Sequence, residues 1–344
     1  MGSIADGESH TGLWTSRAAS GTCAARFPWQ RCLGLGLVLL CAMGQLNPPE
    51  AVLRVVTTVA PVTDLVRQVG GEVIRLHSLV PTGVSSHTFH PTPGDVQHLA
   101  SADLVILNGL NLETGVEKLL RCCGNPRALV LKLAEQTVAQ DEWIEASAAP
   151  VLGLPNPHLW VNVDYARRYV ERMRDGLCRL DPQHAEHYQH NAARLNDELA
   201  HLDQCITMAV ATIPPPHRRL VTYHDAWPYF ARRYGFIVIK VVQPANFTEP
   251  SPREVARVVE QLRQTPVPAI FSSEIFPSKV PEKIAREAGV PRVDVLHDET
   301  LPGAPGEAEH SYQGMMQRNV TTIVTALGGN SAGFAQCLQE RPVR

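Results

Sequence analysis

The chain has 344 residues, of which 44% are hydrophobic and 19% are charged, and its 31 basic and 34 acidic side chains give a net charge of −3. This near-neutral balance argues against a nucleic-acid groove and against a polybasic membrane face, so we expect small or protein partners. Glycine and proline, at 24 and 27 residues, are close to ordinary globular usage, which excludes a disordered chain; two packed domains are the expectation for this length.

The N-terminal segment is typical of an export signal. Residues 32–43 read CLGLGLVLLCAM, a run that follows two arginines and ends at a small-residue cleavage pattern, which is how a secretory signal peptide is organised. About a dozen apolar residues are too few to span a bilayer. We therefore predict a signal peptide over residues 1–44 and a periplasmic protein. The bulky Leu40 before Cys41 favours soluble release over lipid anchoring at that cysteine.

Short apolar runs alternate with helical patterns in the first half of the remaining chain. Buried strands are predicted over Arg54–Thr58, Val73–Val80, Asp103–Asn108 and Ala128–Leu131. Helices are predicted over Pro61–Val69, Asp95–Ser101, Thr114–Arg121 and Asp164–Leu180. This alternation predicts a parallel sheet with crossover helices.

A long helix is predicted over Gln183–Ile213, because this segment has no glycine or proline and places apolar residues at steps of three and four. At about 1.5 Å per residue it could reach roughly 45 Å, long enough to run along two lobes. Strands are predicted after it over Arg219–Thr222, Phe236–Val242, Ala269–Ser272 and Val293–Leu296. Between the second and third of these, Ser251 before Pro252 predicts a helix start with the serine as cap.

The similar order of elements in the two halves predicts an α/β fold. We expect two similar lobes, each a mostly parallel sheet with flanking helices, joined by one long backbone helix. The predicted N-terminal lobe spans residues 45–182, the linking helix residues 183–213, and the C-terminal lobe residues 214–344.

Five cysteines follow the predicted signal peptide: Cys122, Cys123, Cys178, Cys205 and Cys337. Since the number is odd, at least one thiol of an exported monomer stays unpaired. The sequence leaves the pairing of the others open. The adjacent pair Cys122-Cys123 lacks the CxxC spacing of a structural zinc knuckle.

Four potential metal ligands fall at or just after predicted strands: His87, His158, His224 and Asp298. In open α/β sheets, ligands gather outside the carboxyl ends of the strands. Spacing alone is a weak signal here, because the chain has 14 histidines and the distances between the four residues match no local metal-binding motif.

The segments around the three histidines carry more information. Residues 86–96 read SHTFHPTPGDV, residues 156–162 read NPHLWVN, and residues 223–235 read YHDAWPYFARRYG. In this order they resemble the signature segments of zinc and manganese ABC-transporter solute-binding proteins, the ZnuA/TroA-like group, and the similarity extends from about Leu53 to Leu327. The resemblance implies two α/β lobes on a backbone helix, a metal ion in the cleft between them, and delivery of that ion to the membrane permease of an ABC importer.

The resemblance also implies a ligand set. The motif histidines correspond to His87, His158 and His224. The acidic ligand of the family lies just after the last strand, where Asp298 is the candidate and the neighbours Glu299 and His297 remain alternatives. We expect a monomer that binds its ion without a nucleic-acid partner.

Three imidazoles and one carboxylate favour zinc as the cargo. Four such donors make a closed tetrahedron, a geometry that Zn²⁺ accepts without cost, whereas the harder Mn²⁺ prefers more oxygen ligands. Family members that resemble manganese carriers tend to have a carboxylate at the third motif position, where this chain has His224. Manganese or iron remains the alternative cargo.

Other histidines need a separate interpretation. His90 forms an H-x-x-H pair with His87, and we expect Pro91 and the loop to turn it toward solvent or into a supporting role. Three histidines spaced three apart on the predicted long helix are interpreted as a solvated face; they are His184, His187 and His190.

A ligating imidazole usually donates its second N–H to a carboxylate or carbonyl, and Asp225 and Glu274 are the candidates here. The enzyme alternative is a zinc hydrolase with Glu274 or Glu299 as general base. Four protein ligands would close such a site, and the sequence has no HExxH motif, nucleophile elbow or Gly-rich phosphate loop. The sequence therefore predicts a binding protein and not an enzyme. An adhesin role would be a second activity of the same fold.

Overall fold

The computed structural model describes residues 52–147, 153–244 and 246–340. In the first half, the predicted apolar runs form four parallel strands in the order β2-β1-β3-β4. The strands are β1 (Leu53–Thr57), β2 (Ile74–Ser78), β3 (Leu104–Leu107) and β4 (Leu129–Lys132). Four helices accompany them: α1 (Ala60–Gly70), α2 (Pro93–Ser101), α3 (Thr114–Cys123) and α4 (Leu133–Thr137). All residues of β3 are buried, as expected for a parallel strand that is covered on both faces.

Two long helices follow the first sheet. They are α5 (Val163–Leu180) and α6 (Ala185–Ala211). The side chain of Asn162 accepts a hydrogen bond from the backbone N–H of Asp164, which caps the start of α5. With 27 residues, α6 is about 40 Å long at 1.5 Å per residue, so the predicted long helix is confirmed.

The second half contains another sheet of four parallel strands, in the order β6-β5-β7-β8. The strands are β5 (Arg219–Thr222), β6 (Ile237–Val241), β7 (Ile270–Ser273) and β8 (Val293–Leu296). The accompanying helices are α7 (Pro228–Tyr234), α8 (Pro252–Gln264), α9 (Val280–Ala288), α10 (Tyr312–Ala326) and α11 (Ser331–Gln339). The strand order has the same pattern in both sheets, so the expectation of two similar α/β lobes is confirmed.

The two sheets share the main hydrophobic core. One cluster of buried side chains includes Val55 of β1, Leu199 of α6 and Phe271 of β7, while two smaller clusters each belong to one half. The long helix α6 packs against α1 and α5 of the first half and against α10 and α11 of the second. This helix therefore packs against both halves of the described chain.

The signal peptide predicted over residues 1–44, with Cys41, lies outside the described residues, and the predicted lobe boundaries remain predictions. Within the part of the chain that the structure describes, no helix combines the length and the apolar character that a membrane span requires.

A disulfide joins Cys205 on α6 to Cys337 on α11, 132 residues further along the chain. The other cysteines left open by the sequence are free thiols: Cys122, Cys123 and Cys178. The bond ties the last helix to the long helix, and closing so long a loop removes conformational entropy from the unfolded chain.

We expect Cys337→Ser to lower the free energy of unfolding by about 2–4 kcal/mol, the typical value for a native disulfide. Urea denaturation without a reducing agent measures this loss. The matched control is Cys122→Ser at an exposed free thiol, for which we expect a change within about 0.5 kcal/mol. Equal stability of the two variants would show that the bond contributes nothing to the fold.

Candidate metal centre

Three imidazoles meet between the two sheets. His87 lies in the loop between β2 and α2, His158 just before α5, and His224 directly after β5. The Nε2 atom of His158 is 3.1 Å from Nε2 of His87 and 3.1 Å from Nε2 of His224. His158 and His224 are only 1% and 4% exposed. The structure therefore brings together three histidines that are far apart in the sequence and removes them from water.

Two side-chain amides orient these rings. Nδ1 of His158 is 2.9 Å from Oδ1 of Asn156, and Nδ1 of His224 is 3.0 Å from Oε1 of Gln243. The orientation of the Asn156 amide is set by its other contact, because its Nδ2 donates to the carbonyl of Asp225 at 2.7 Å. The imidazoles of His158 and His224 thus carry their proton on Nδ1 and present the lone pair of Nε2 to the centre. Lone pairs that face one point repel each other unless a cation lies between them.

Asp298 completes one side of the cluster. Its Oδ2 is 3.5 Å from Nε2 of His224, and the side chain is 1% exposed. Both carboxylate oxygens are buried without a hydrogen-bond partner among the described residues. Buried polar atoms without partners are rare and costly. A metal ion bound at this point would supply the missing interaction, so the donor set fits a divalent cation.

Glu299 lies on the other side of the cluster, with Oε1 at 3.9 Å from Nε2 of His87. Its carboxylate already has partners, because Oε1 accepts from Oγ of Ser85 at 2.9 Å and Oε2 accepts from the N–H of Ser86 at 2.5 Å. Glu299 and the three histidines offer donor atoms that all lie within 4.8 Å of one another. Of the two carboxylates that the sequence proposed for the acidic position, Glu299 belongs to this group of donors, and Asp298 approaches the cluster at His224.

Glu274 holds the acidic segment in place. Its Oε1 accepts hydrogen bonds from the backbone N–H groups of Asp298, Glu299 and Thr300 at 2.8, 3.0 and 3.1 Å. The prediction that Glu274 hydrogen-bonds a ligating imidazole is therefore wrong: its Oε1 is used by the backbone of this turn, and its Oε2 is buried beside the carboxyl group of Asp298. The turn presents both carboxylates to the histidines.

Asp225 also differs from its predicted role. Its carboxylate accepts from N and Oγ of Ser147 at 2.7 and 3.1 Å, and the imidazoles use the amides of Asn156 and Gln243 instead. The sequence analysis missed both amides. The position of Asn156, two residues before His158 in the same motif, was the available signal; Gln243 becomes a neighbour of His224 only through pairing of β5 with β6.

A hydrogen-bonded network fixes the His158 segment from both halves. Asn108, at the end of β3, donates from Nδ2 to the carbonyl of Pro157 at 2.8 Å, and its Oδ1 accepts from the hydroxyl of Tyr169 at 2.8 Å. On the other side, Nε1 of Trp160 donates to the carbonyl of Asp298 at 2.7 Å. The ligand candidates therefore rest on rigid contacts, which is how metal sites keep their geometry.

Burial keeps the imidazoles neutral. It lowers the pKa of His87 and of His158 well below the usual 6.5, and the neighbouring imidazoles lower both further. Burial also lowers the pKa of His224 to about 4. Neutral imidazole is the form that binds metal ions, so these side chains are ready to coordinate at neutral pH.

The carboxyl groups resist ionisation in the absence of a cation. Burial, together with the charges of Glu274 and Glu299, raises the pKa of Asp298 well above 3.8. Burial raises the pKa of Glu299 to about 7, against the effect of its hydrogen bonds from Ser86 and Ser85. The centre therefore lacks positive charge, which a divalent cation would provide.

The other histidines that the sequence analysis considered have different surroundings. His90 is exposed, which agrees with the expectation that the loop turns it toward solvent. His187 and His190 are exposed on α6, and Nδ1 of His184 is bonded to Oδ2 of Asp181 at 2.7 Å. The side chain of His297 faces Thr300, with its Nδ1 3.3 Å from the hydroxyl.

A cleft of about 260 Å³ opens beside the three imidazoles. Its lining includes Leu110, Leu154 and Phe247 as well as the histidines. The cleft connects the cluster with solvent, so an ion could enter from this side.

Comparisons with known proteins agree with this architecture. The sequence model of the ZnuA family, described as zinc-uptake complex component A, periplasmic, matches residues 55–326. The metal ABC transporter substrate-binding lipoprotein FimA of Streptococcus parasanguinis is 29% identical over 299 residues, which cover 84% of this chain and 94% of FimA. The iron-binding protein YfeA of Yersinia pestis is 29% identical over 295 residues, or 85% of this chain and 92% of YfeA.

Further similarity comes from the manganese ABC transporter substrate-binding lipoprotein PsaA of Streptococcus pneumoniae, which is 28% identical over 300 residues, or 84% of this chain and 94% of PsaA. Among solved structures, the periplasmic zinc-binding protein TroA of Treponema pallidum superposes with a TM-score of 0.73 at 29% identity. The match covers 79% of this chain and 98% of TroA. The family resemblance and the two-lobe α/β fold predicted from the sequence are confirmed.

Proposed function

Because the chain belongs to the ZnuA family and is a metal-binding substrate-binding protein of an ABC transporter, we propose that it captures Zn²⁺ outside the cytoplasm and delivers it to the importer's permease. The ligands in this proposal are His87, His158, His224 and Asp298. The observation that supports it most directly is the meeting of three Nε2 atoms at 3.1 Å beside a buried carboxylate without hydrogen-bond partners.

The donor set favours zinc over harder ions. Two of the three imidazoles are held with Nε2 toward the centre, and Asp298 adds one oxygen donor, which together match the tetrahedral nitrogen-rich sites of Zn²⁺. The relatives named for manganese and iron support the alternative cargo. Glu299 is the residue that would add a ligand for manganese or iron, since a fifth ligand with oxygen donors suits Mn²⁺ better. Its hydrogen bonds from Ser85 and Ser86 argue for a supporting role.

Capture joins the two halves of the molecule. His87 and His158 come from the half that contains the first sheet, and His224 and Asp298 come from the half that contains the second. One ion bound to all four would bridge the cleft, and its charge would balance the carboxylates gathered there. Release to a permease would then require the two sets of ligands to separate. The width of the cleft would therefore depend on whether an ion is bound.

The metal content of the purified mature protein tests the proposal. We expect one zinc per chain by inductively coupled plasma mass spectrometry, and a competition titration in which zinc displaces manganese. Stoichiometric manganese or iron that zinc does not displace would overturn the zinc assignment. A chain that binds no divalent metal would overturn the proposed function as a whole.

We also predict that zinc affinity falls as the pH drops from 7 to 5. Ligands must lose their protons to coordinate, and burial raises the pKa of Asp298 well above 3.8, so protons compete with the metal for this carboxyl group as the pH falls. The imidazole of His224, with a pKa of about 4, contributes little in this range. For one displaced proton the affinity falls roughly tenfold per pH unit. Calorimetric titrations at pH 5, 6 and 7 measure this pH dependence. A zinc affinity that stays the same over this range contradicts the assignment of a buried carboxyl ligand.

A further inference from the structure

An aromatic side chain lies beside the histidine cluster, in the cleft that connects it with solvent. The ring of Phe247 lies 4.5 Å from the ring of His87 and 6.0 Å from that of His224, measured between centroids. Phe247 is half-buried and lines the same cleft as the imidazoles. The ring of Phe247 therefore borders both the histidine cluster and the open cleft.

The ring is fixed in this position by its neighbours. It stacks on Phe276 with the two planes 9° apart and the centroids at 5.5 Å, and Phe276 itself lies 4.8 Å from the ring of His224. The backbone N–H of Phe247 donates to the carbonyl of Pro244 at 2.9 Å. A turn and an aromatic stack thus hold Phe247 against the imidazoles.

The backbone of Phe247 has a φ of +61°, in the left-handed region that large residues rarely adopt. Such a conformation costs of order 1–3 kcal/mol and persists only where the surroundings impose it, most often at ligand sites. Asn246, directly before it, could adopt the same conformation more easily. The backbone strain therefore lies at Phe247, the residue whose ring packs beside the cluster.

We propose that Phe247 determines the metal specificity of this centre, because its ring packs beside the imidazoles of His87 and His224 at the cleft and takes up space that additional water ligands of a bound ion would need. This inference rests on the proposed function. Zn²⁺ is satisfied by the four protein donors, whereas Mn²⁺ prefers six ligands, several of them oxygen. An apolar ring that occupies the place of those waters penalises Mn²⁺ and leaves Zn²⁺ unaffected. The apolar surroundings of a metal site are known to control solvent access in this way.

Replacement of the ring tests the inference, with Co²⁺ as a spectroscopic probe. Tetrahedral Co²⁺ absorbs visible light much more strongly than Co²⁺ with added water ligands. We expect strong absorption in the wild type and in Phe247→Tyr, which keeps the ring, and weak absorption in Phe247→Ala. The zinc-over-manganese preference of Phe247→Ala should fall roughly tenfold or more, the size of effect that groups around the ligands produce.

The matched control is Leu154→Ala. Leu154 lines the same cleft and is 45% exposed, so its truncation removes apolar surface without uncovering the imidazoles. We expect this variant to match the wild type in both measurements. An unchanged spectrum and preference in Phe247→Ala, or equal weakening of both metals, would overturn the role of Phe247 while leaving the proposed function intact. Failure of the wild type itself to bind Co²⁺, Zn²⁺ or Mn²⁺ would instead overturn the proposed function.

Discussion

Replacing His158 with alanine is expected to lower the zinc affinity by more than about a hundredfold. Loss of a group that only supports a ligand lowers metal affinity by up to about a hundredfold, and loss of a ligand itself should cost more. His158 is the central ligand candidate, because its Nε2 lies 3.1 Å from the Nε2 atoms of both other imidazoles. Its loss leaves His87 and His224 without a shared neighbour and removes one of four donors. Competition with a chelator of known affinity measures the change.

His90→Ala is the matched control for this experiment. His90 is exposed, although it forms an H-x-x-H pair with His87, so we expect its replacement to leave zinc affinity unchanged. Metal-free His158→Ala should still unfold cooperatively, since the main core of the protein is built from other side chains. If His90→Ala lost the metal and His158→Ala kept it, the ligand assignment would be wrong.

Local patterns were sufficient to predict most of the fold. The strand β3 follows from a short apolar run and the helix α6 from a long segment without glycine or proline, because the length of a segment and its apolar spacing distinguish strands from helices. The start of α8 is another case: Ser251 accepts a hydrogen bond from the N–H of Glu254 at 3.3 Å, as the cap prediction required. Since strands of a parallel sheet end at one edge, the same patterns also predicted where ligands would gather.

The supporting contacts of the centre could not be predicted in the same way. The hydrogen bond from His224 to Gln243 and the stack of Phe247 on Phe276 depend on how distant loops meet, and no local sequence period encodes that meeting. The disulfide is similar, because the pairing of Cys205 with Cys337 follows from the packing of the last helix on α6. Tertiary packing decides which polar side chain lies beside each imidazole.

The second large effect is expected at the acidic position, where Asp298→Asn should change two properties in opposite directions. Zinc affinity should fall by more than roughly a hundredfold, because an amide oxygen replaces a charged ligand. The metal-free protein should become more stable by about 1–3 kcal/mol at neutral pH, because the variant no longer buries an acid whose ionisation the fold opposes. Chelator competition and urea denaturation in the presence of EDTA measure the two effects.

The pH dependence of that stability gain identifies its cause. Because the pKa of Asp298 is raised well above 3.8 in the fold, the wild type loses stability as the pH rises above that value, and the gain in Asp298→Asn should vanish below it. The control is Glu299→Gln, whose amide would face the donors Ser85 and Ser86, so we expect a less stable protein with a smaller loss of affinity. Should Glu299→Gln abolish zinc binding while Asp298→Asn retains it, Glu299 is the fourth ligand, and the carboxylate that already receives two hydrogen bonds is the one that binds the ion.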